Sequence, residues 1–178
     1  MAKVPRWERA WQHFRAGMFD GYIYNPGDGT TASRRKRFNR QREEYWRLVR
    51  LARDLGIAVY KGGDLGTATD ASGDLFHVGG LWDPGKERIR LGQRSFPVLA
   101  HEMGHAVSYI LVGHQSRAEG ELTACGAGYV LTCHIAGMKT PRHDLAYARR
   151  QGATRETLIE TEGHILNVFH ELRSALQQ

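Results

Sequence analysis

The chain has 178 residues, of which 41% are hydrophobic and 25% charged, values that fit one ordinary globular domain and exclude wholesale disorder. No apolar run reaches the ~18 residues that span a bilayer, and the N-terminal Met1-Ala2-Lys3-Val4-Pro5-Arg6 lacks the apolar stretch of a signal peptide. No membrane partner and a cytoplasmic location are therefore expected. The net charge of +6 argues against an acidic DNA mimic.

Taken in chain order, Trp7, Trp11, Phe14 and Met18 recur at helical spacing and predict a helix over 4–20. Residues 21–33 are rich in Gly, Asn, Pro and Thr and read as a loop. A second helix is expected from about Arg34 to Leu55, burying Tyr45, Leu48, Val49 and Ala52 and stopped by Gly56. Residues 1–50 hold twelve Lys and Arg against five Asp and Glu, so the surplus charge sits in the N-terminal region. It reads as a solvated helix face; contact with nucleic acid or an acidic protein is the sharper alternative, with no motif behind it. The four tryptophans, Trp7, Trp11, Trp46 and Trp82, are expected to pack.

Ile57–Tyr60 predicts a short strand, and Asp74–Leu91 a β-hairpin turning at Asp83-Pro84-Gly85, where proline presets the turn and glycine accepts positive φ. Ile89 and Leu91 alternate with Arg88 and Arg90, so one face of that strand is wet. Ser95 stands where it can cap a helix over Phe96–Val112 with the apolar stripe Leu99, Met103, Ala106, Val107 and Ile110. A further helix, about Arg117–Ile135, contains Gly126 and Gly128, which are costly unless another helix approaches closely. Cys125 and Cys133 lie eight apart in it, roughly 12 Å along the axis and too far for a disulfide. The last helix starts near Thr154, with Leu158, Ile165, Phe169, Leu172 and Leu176 as its seam and Glu162 interrupting it.

The chemistry is concentrated in His101-Glu102-Met103-Gly104-His105. Helical residues four apart face the same side, so both imidazoles can reach one metal ion. Glu102 lies roughly 100° around from His101 and can reach water beside that metal without ligating it. A catalytic zinc site needs a third protein ligand. A histidine six residues past His105 would supply one, but that residue is Leu111. The candidates left are His114, Glu119 and Glu121, of which Glu121 leads because its helix has to pack closely.

Val98-Leu99-Ala100-His101-Glu102-Met103-Gly104-His105-Ala106, preceded by Glu87–Leu91, resembles the strand-to-helix core of the zincin-like metallopeptidases. The subgroup it resembles most is the ImmA/IrrE-like and ArdC-like (antirestriction) proteins of bacteria, plasmids and phages. Glu121-Leu122-Thr123-Ala124-Cys125 is similar to that group's ligand helix, whose first glutamate is the third zinc ligand. Gly137–Thr140 and Tyr147 resemble the short loop after the ligand helix in that group, and the helix holding His164-Ile165 resembles its C-terminal helix. Cys125 departs from the acidic residue often found there, and the first 40 residues are too few for the single-stranded-DNA-binding module of ArdC-like proteins.

The resemblance implies an α+β zincin-like fold: a small, mostly antiparallel sheet, an active-site helix, a ligand helix and flanking helices. It implies one domain, with residues 1–40 a basic and aromatic extension and 41–178 the catalytic core. Zn2+ would be held by His101, His105 and Glu121 in a gluzincin-like arrangement, with Glu102 as general base. The expected function is peptide-bond hydrolysis, on a regulatory protein in a phage or mobile-element setting. Two other readings stand beside it: a binding or antirestriction-type protein that keeps the zinc for structure, and a zinc hydrolase of toxin or lysis type. Tyr147, His134, His143 and His164 are the candidates for steadying the oxyanion.

Overall fold

The computed structural model describes residues 4–19, 31–70, 73–136 and 147–177. In chain order the elements are α1 (Arg6–Phe19), α2 (Thr31–Asp54), β1 (Ala58–Lys61), β2 (Thr67–Thr69), β3 (Leu75–His77), β4 (Gly80–Asp83), β5 (Arg88–Leu91), α3 (Phe96–Val112), α4 (Arg117–Leu131) and α5 (Arg155–Gln177). The architecture is α+β, with a three-stranded sheet ordered β1-β5-β4 and a separate β2-β3 pair. β4 and β3 run antiparallel to their partners and β1 runs parallel to β5.

The long helices follow their apolar periodicity. Gly56, with φ of +78°, closes α2 as expected. Trp11, Phe14 and Met18 of α1 are buried with Leu122, Tyr129, Ile165 and Phe169 in one core. Glu162, the break in the α5 seam, is used: it accepts a hydrogen bond from Trp11 Nε1 at 2.9 Å and an ion pair from Arg15 at 3.3 Å. These contacts fasten α1 to α5. Trp46 is the tryptophan that departs from packing; it is exposed, with the Arg94 guanidinium 5.5 Å above its ring.

The sheet region departs further from expectation. Leu75–His77 leaves the hairpin and pairs with Thr67–Thr69, a strand whose Thr-Ala-Thr sequence has no apolar alternation to announce it. Only Gly80–Asp83 and Arg88–Leu91 form the predicted hairpin. Its turn is a single 3-10 turn at Pro84–Lys86, and positive φ falls on Glu87, at 45°, rather than on Gly85. Ile89 and Leu91 are fully buried, as their alternation requires.

Helix α3 lies against this sheet with Leu99, Met103 and Ala106 buried, but Ile110 is 56% exposed because the last turn runs past its neighbours. Ser95 is at the N-cap without a side-chain bond. Pro97, at the second helical position, lacks one of the N–H groups that a capping hydroxyl serves.

The two central glycines of α4 stand at close approaches. A methyl group at Gly128 would lie 3.0 Å from the His101 backbone nitrogen, and one at Gly126 would lie 2.6 Å from the Ile165 side chain. The contact is reciprocal, since a methyl at Gly104 of α3 would meet Ala124 Cα at 2.9 Å. α3 and α4 therefore touch backbone to backbone, which brings short side chains on α4 within reach of groups on α3. Both cysteines are buried and neither is in a disulfide.

Candidate metal centre

His101 and His105 lie one turn apart on α3, and their Nε2 atoms are 3.2 Å from each other. Glu121, one turn into α4, places Oε2 3.4 Å from each of these nitrogens. Ligand atoms of the three residues lie within 4.8 Å of one another, and the group could hold a metal ion. No other His, Cys, Asp or Glu cluster of this kind occurs among the described residues.

The Glu121 Oε2 atom is buried and has no properly directed hydrogen bond despite its closeness to both rings. A buried carboxylate oxygen without such a bond is costly, and two imidazole nitrogens that turn their lone pairs toward the same point give it no donor. A cation bound between the three satisfies all of them at once. The donor set, two nitrogens and one carboxylate oxygen, is that of a catalytic zinc site with a position left for water. On these grounds the residues fit zinc.

The rival third ligands are occupied elsewhere. Glu119 forms a capping box with Ser116: its backbone N–H donates to Ser116 Oγ at 3.3 Å, and its carboxylate accepts from the Ser116 N–H at 3.0 Å. His114 is exposed and packs edge-on against Tyr109. The capping box starts α4 at a fixed residue, which sets the turn on which Glu121 falls.

Glu102 is 5% exposed and backs onto Gly80 of β4; a methyl there would sit 2.6 Å from Glu102 Oε1. Burial pushes its carboxyl above the ordinary carboxylate range, opposed by His101, His105 and the Trp82 backbone N–H and assisted by Glu121. For Glu121, burial also works against the charge, but attraction to His101 and His105 outweighs it and holds the carboxyl well below its usual value. Burial disfavours a charged His101, yet Cys125, Glu121 and Glu102 together raise it well above an ordinary imidazole.

Of the four candidate oxyanion donors, Tyr147 lies beside the cluster, its ring 5.9 Å from that of His101 and edge-on to Phe76 at 5.3 Å. Burial and the Glu121 carboxylate keep its hydroxyl protonated far above neutral pH. His164 Nε2 is 2.8 Å from Ser108 Oγ, which donates to Gln115 Oε1 at 2.5 Å. His134 rests edge-on against Phe169. His143 and Gly137–Thr140 lie outside the described residues.

Three further residues contribute: Cys125, marked in the sequence only as a departure from an acidic position, and Gly80 and Trp82. Cys125 Sγ is 3.7 Å from His101 Nδ1; its spacing of four from Glu121 on one helix is the available signal. Gly80 and the Trp82 N–H, which seat Glu102, have no local sequence signal. Beyond His105 and Glu121 opens a cleft of about 190 Å³, walled by Trp82, Pro84, Tyr109 and His114.

Among the described residues no helix is long and apolar enough to cross a membrane. Compared with known proteins, the chain matches no family model, no curated protein and no solved structure.

Proposed function

We propose that this chain is a zinc-dependent metallopeptidase of zincin-like fold. The observation that carries the reading is the buried Glu121 oxygen held 3.4 Å from both HExxH imidazoles, with the buried Glu102 carboxylate adjoining them. Bound there, zinc supplies Lewis acidity that polarises a carbonyl oxygen and acidifies water.

The rest of the chemistry belongs to the chain. Glu102 Oε accepts a proton from the attacking water as the C–O bond forms, and returns it to the leaving amine as the C–N bond breaks. Its raised affinity for a proton suits both halves of that transfer. Gly80 leaves room for this carboxylate and the Trp82 N–H orients it. The Tyr147 hydroxyl, protonated throughout and on a ring beside His101, can donate to the carbonyl oxygen as charge develops. The aromatic-walled cleft beside His105 and Glu121 offers room for one side chain of a peptide substrate.

The test joins metal content with hydrolysis. Wild type should hold one zinc per chain, and His101→Ala and Glu121→Ala should lose it. Glu102→Gln should keep zinc and lose cleavage of a peptide library by about 10²–10⁴-fold. Wild-type protein that stays metal-free after zinc is added and the excess dialysed away would overturn the reading.

A further inference from the structure

We propose that Cys125 is the positioning partner of His101: its sulfur accepts the Nδ1–H and thereby presents Nε2, with its lone pair free, to the metal. This inference rests on the metal-centre reading and goes beyond it, to what sets how tightly the metal is held.

The two nitrogens of His101 face different groups. Nε2 lies 3.2 Å from His105 Nε2 and 3.4 Å from Glu121 Oε2, whereas Nδ1 lies 3.7 Å from Cys125 Sγ, the distance of an N–H···S contact. A ligand imidazole carries one proton, and the hydrogen bond at one nitrogen decides that the other is free to ligate. The sulfur is thus placed to decide the tautomer.

Delivery of the sulfur is a consequence of α4 itself. Cys125 follows Glu121 by four residues, so one helical face carries the ligand to Nε2 and the acceptor to Nδ1. Gly128, on the next turn, brings that face against the His101 backbone. Cys125 is fully buried, so water does not take its place as acceptor.

Ligand histidines ordinarily give this proton to a carboxylate, a carbonyl or water. A thiol is a weak acceptor. It holds the ring by a weaker hydrogen bond than a carboxylate would, so the site is built to hold its metal less tightly than a carboxylate at the same position would allow. Removing such a partner typically changes metal affinity by about 10–100-fold.

The experiment measures zinc affinity by chelator competition for wild type, Cys125→Ser, Cys125→Val and Cys125→Asp, with folding checked by circular dichroism. Ser keeps an acceptor, Val keeps bulk without one, and Asp strengthens the acceptor. We expect Ser within a few-fold of wild type, Val weaker by about tenfold, and Asp tighter by about tenfold. A pure packing role would leave Val closest to wild type and Asp worst. Imidazole ¹⁵N–¹H correlation spectra of zinc-loaded wild type give a reading that needs no variant. They should show His101 ligated through Nε2, with an Nδ1–H slow to exchange. Ligation through Nδ1, or Val matching wild type in affinity, would overturn the role of Cys125 and leave the metal centre standing. Wild type that binds no zinc would remove both.

Discussion

Adding one methyl group at Gly104 tests whether the backbone contact between α3 and α4 builds the site. The new carbon would lie 2.9 Å from Ala124 Cα and 3.2 Å from Ala124 O, both of them backbone atoms. Relief to an ordinary contact requires the helices to part by about 0.5 Å, an overpacking strain of about 3 kcal/mol at the upper end of the usual range. Replacing a helical glycine by alanine returns about 1 kcal/mol. The net loss is about 2 kcal/mol, or a Tm lowered by about 4–8 °C in a chain of this length. Gly163→Ala on α5 is the matched reference: no atom lies within 4 Å of the added carbon, so only the propensity gain remains. The same change should therefore raise Tm by about 1–4 °C there. Scanning calorimetry reads both, and chelator competition reads the accompanying loss of zinc affinity as Glu121 moves away from the imidazoles. If Gly104→Ala melts with or above Gly163→Ala, or binds zinc like wild type, the contact does not set the geometry.

Gly80→Ala should displace the Glu102 carboxylate, since the new carbon would stand 2.6 Å from Oε1; peptide hydrolysis should fall at least tenfold while zinc content, read by mass spectrometry, stays at wild type. Tyr147→Phe should lower kcat by about 10²-fold with little change in KM, as removal of a transition-state donor does in steady-state kinetics. The effect of pH comes from His101. Its proton affinity in the metal-free fold is raised, so the stabilisation it gives is complete below the ordinary imidazole pKa and is lost as pH rises through the higher folded value. Zinc has to displace that proton, so its affinity rises over the same interval. The increase in Tm on adding zinc should therefore widen as pH rises above the ordinary imidazole pKa. A constant or narrowing increment in thermal melts would contradict this.

The helices and the chemistry they carry are legible in the sequence because both depend on the same period. Trp11, Phe14 and Met18, or Leu158, Ile165 and Phe169, announce a buried face by spacing alone, and His101 and His105 announce a shared one. Gly126 and Gly128 announce the close approach, since little else justifies glycine in a helix. The sheet is poorly legible. β2 is three residues of Thr-Ala-Thr, and its pairing with β3 draws on backbone hydrogen bonds that the side chains do not encode. Glu121 rather than Glu119 stands beside the imidazoles, because Ser116 claims Glu119 as the third residue of the helix. No spacing in the sequence ties Tyr147 to His101, and only the folded chain singles it out from His134 and His164.

Glu121 follows His101 by only twenty positions, and the helices that carry them form one antiparallel hairpin joined by Gly113–Ser116. The candidate ligands are therefore local in sequence. The loop their ligation would close is short, and helix packing has already met most of its entropy before any ion arrives. A metal ion bound here would act as a clip across one hairpin, resisting motions that separate α3 from α4. Its binding energy should slow the local opening of those two helices, while the β2-β3 pair, which contributes no ligand, should open and close at the same rate with or without the ion.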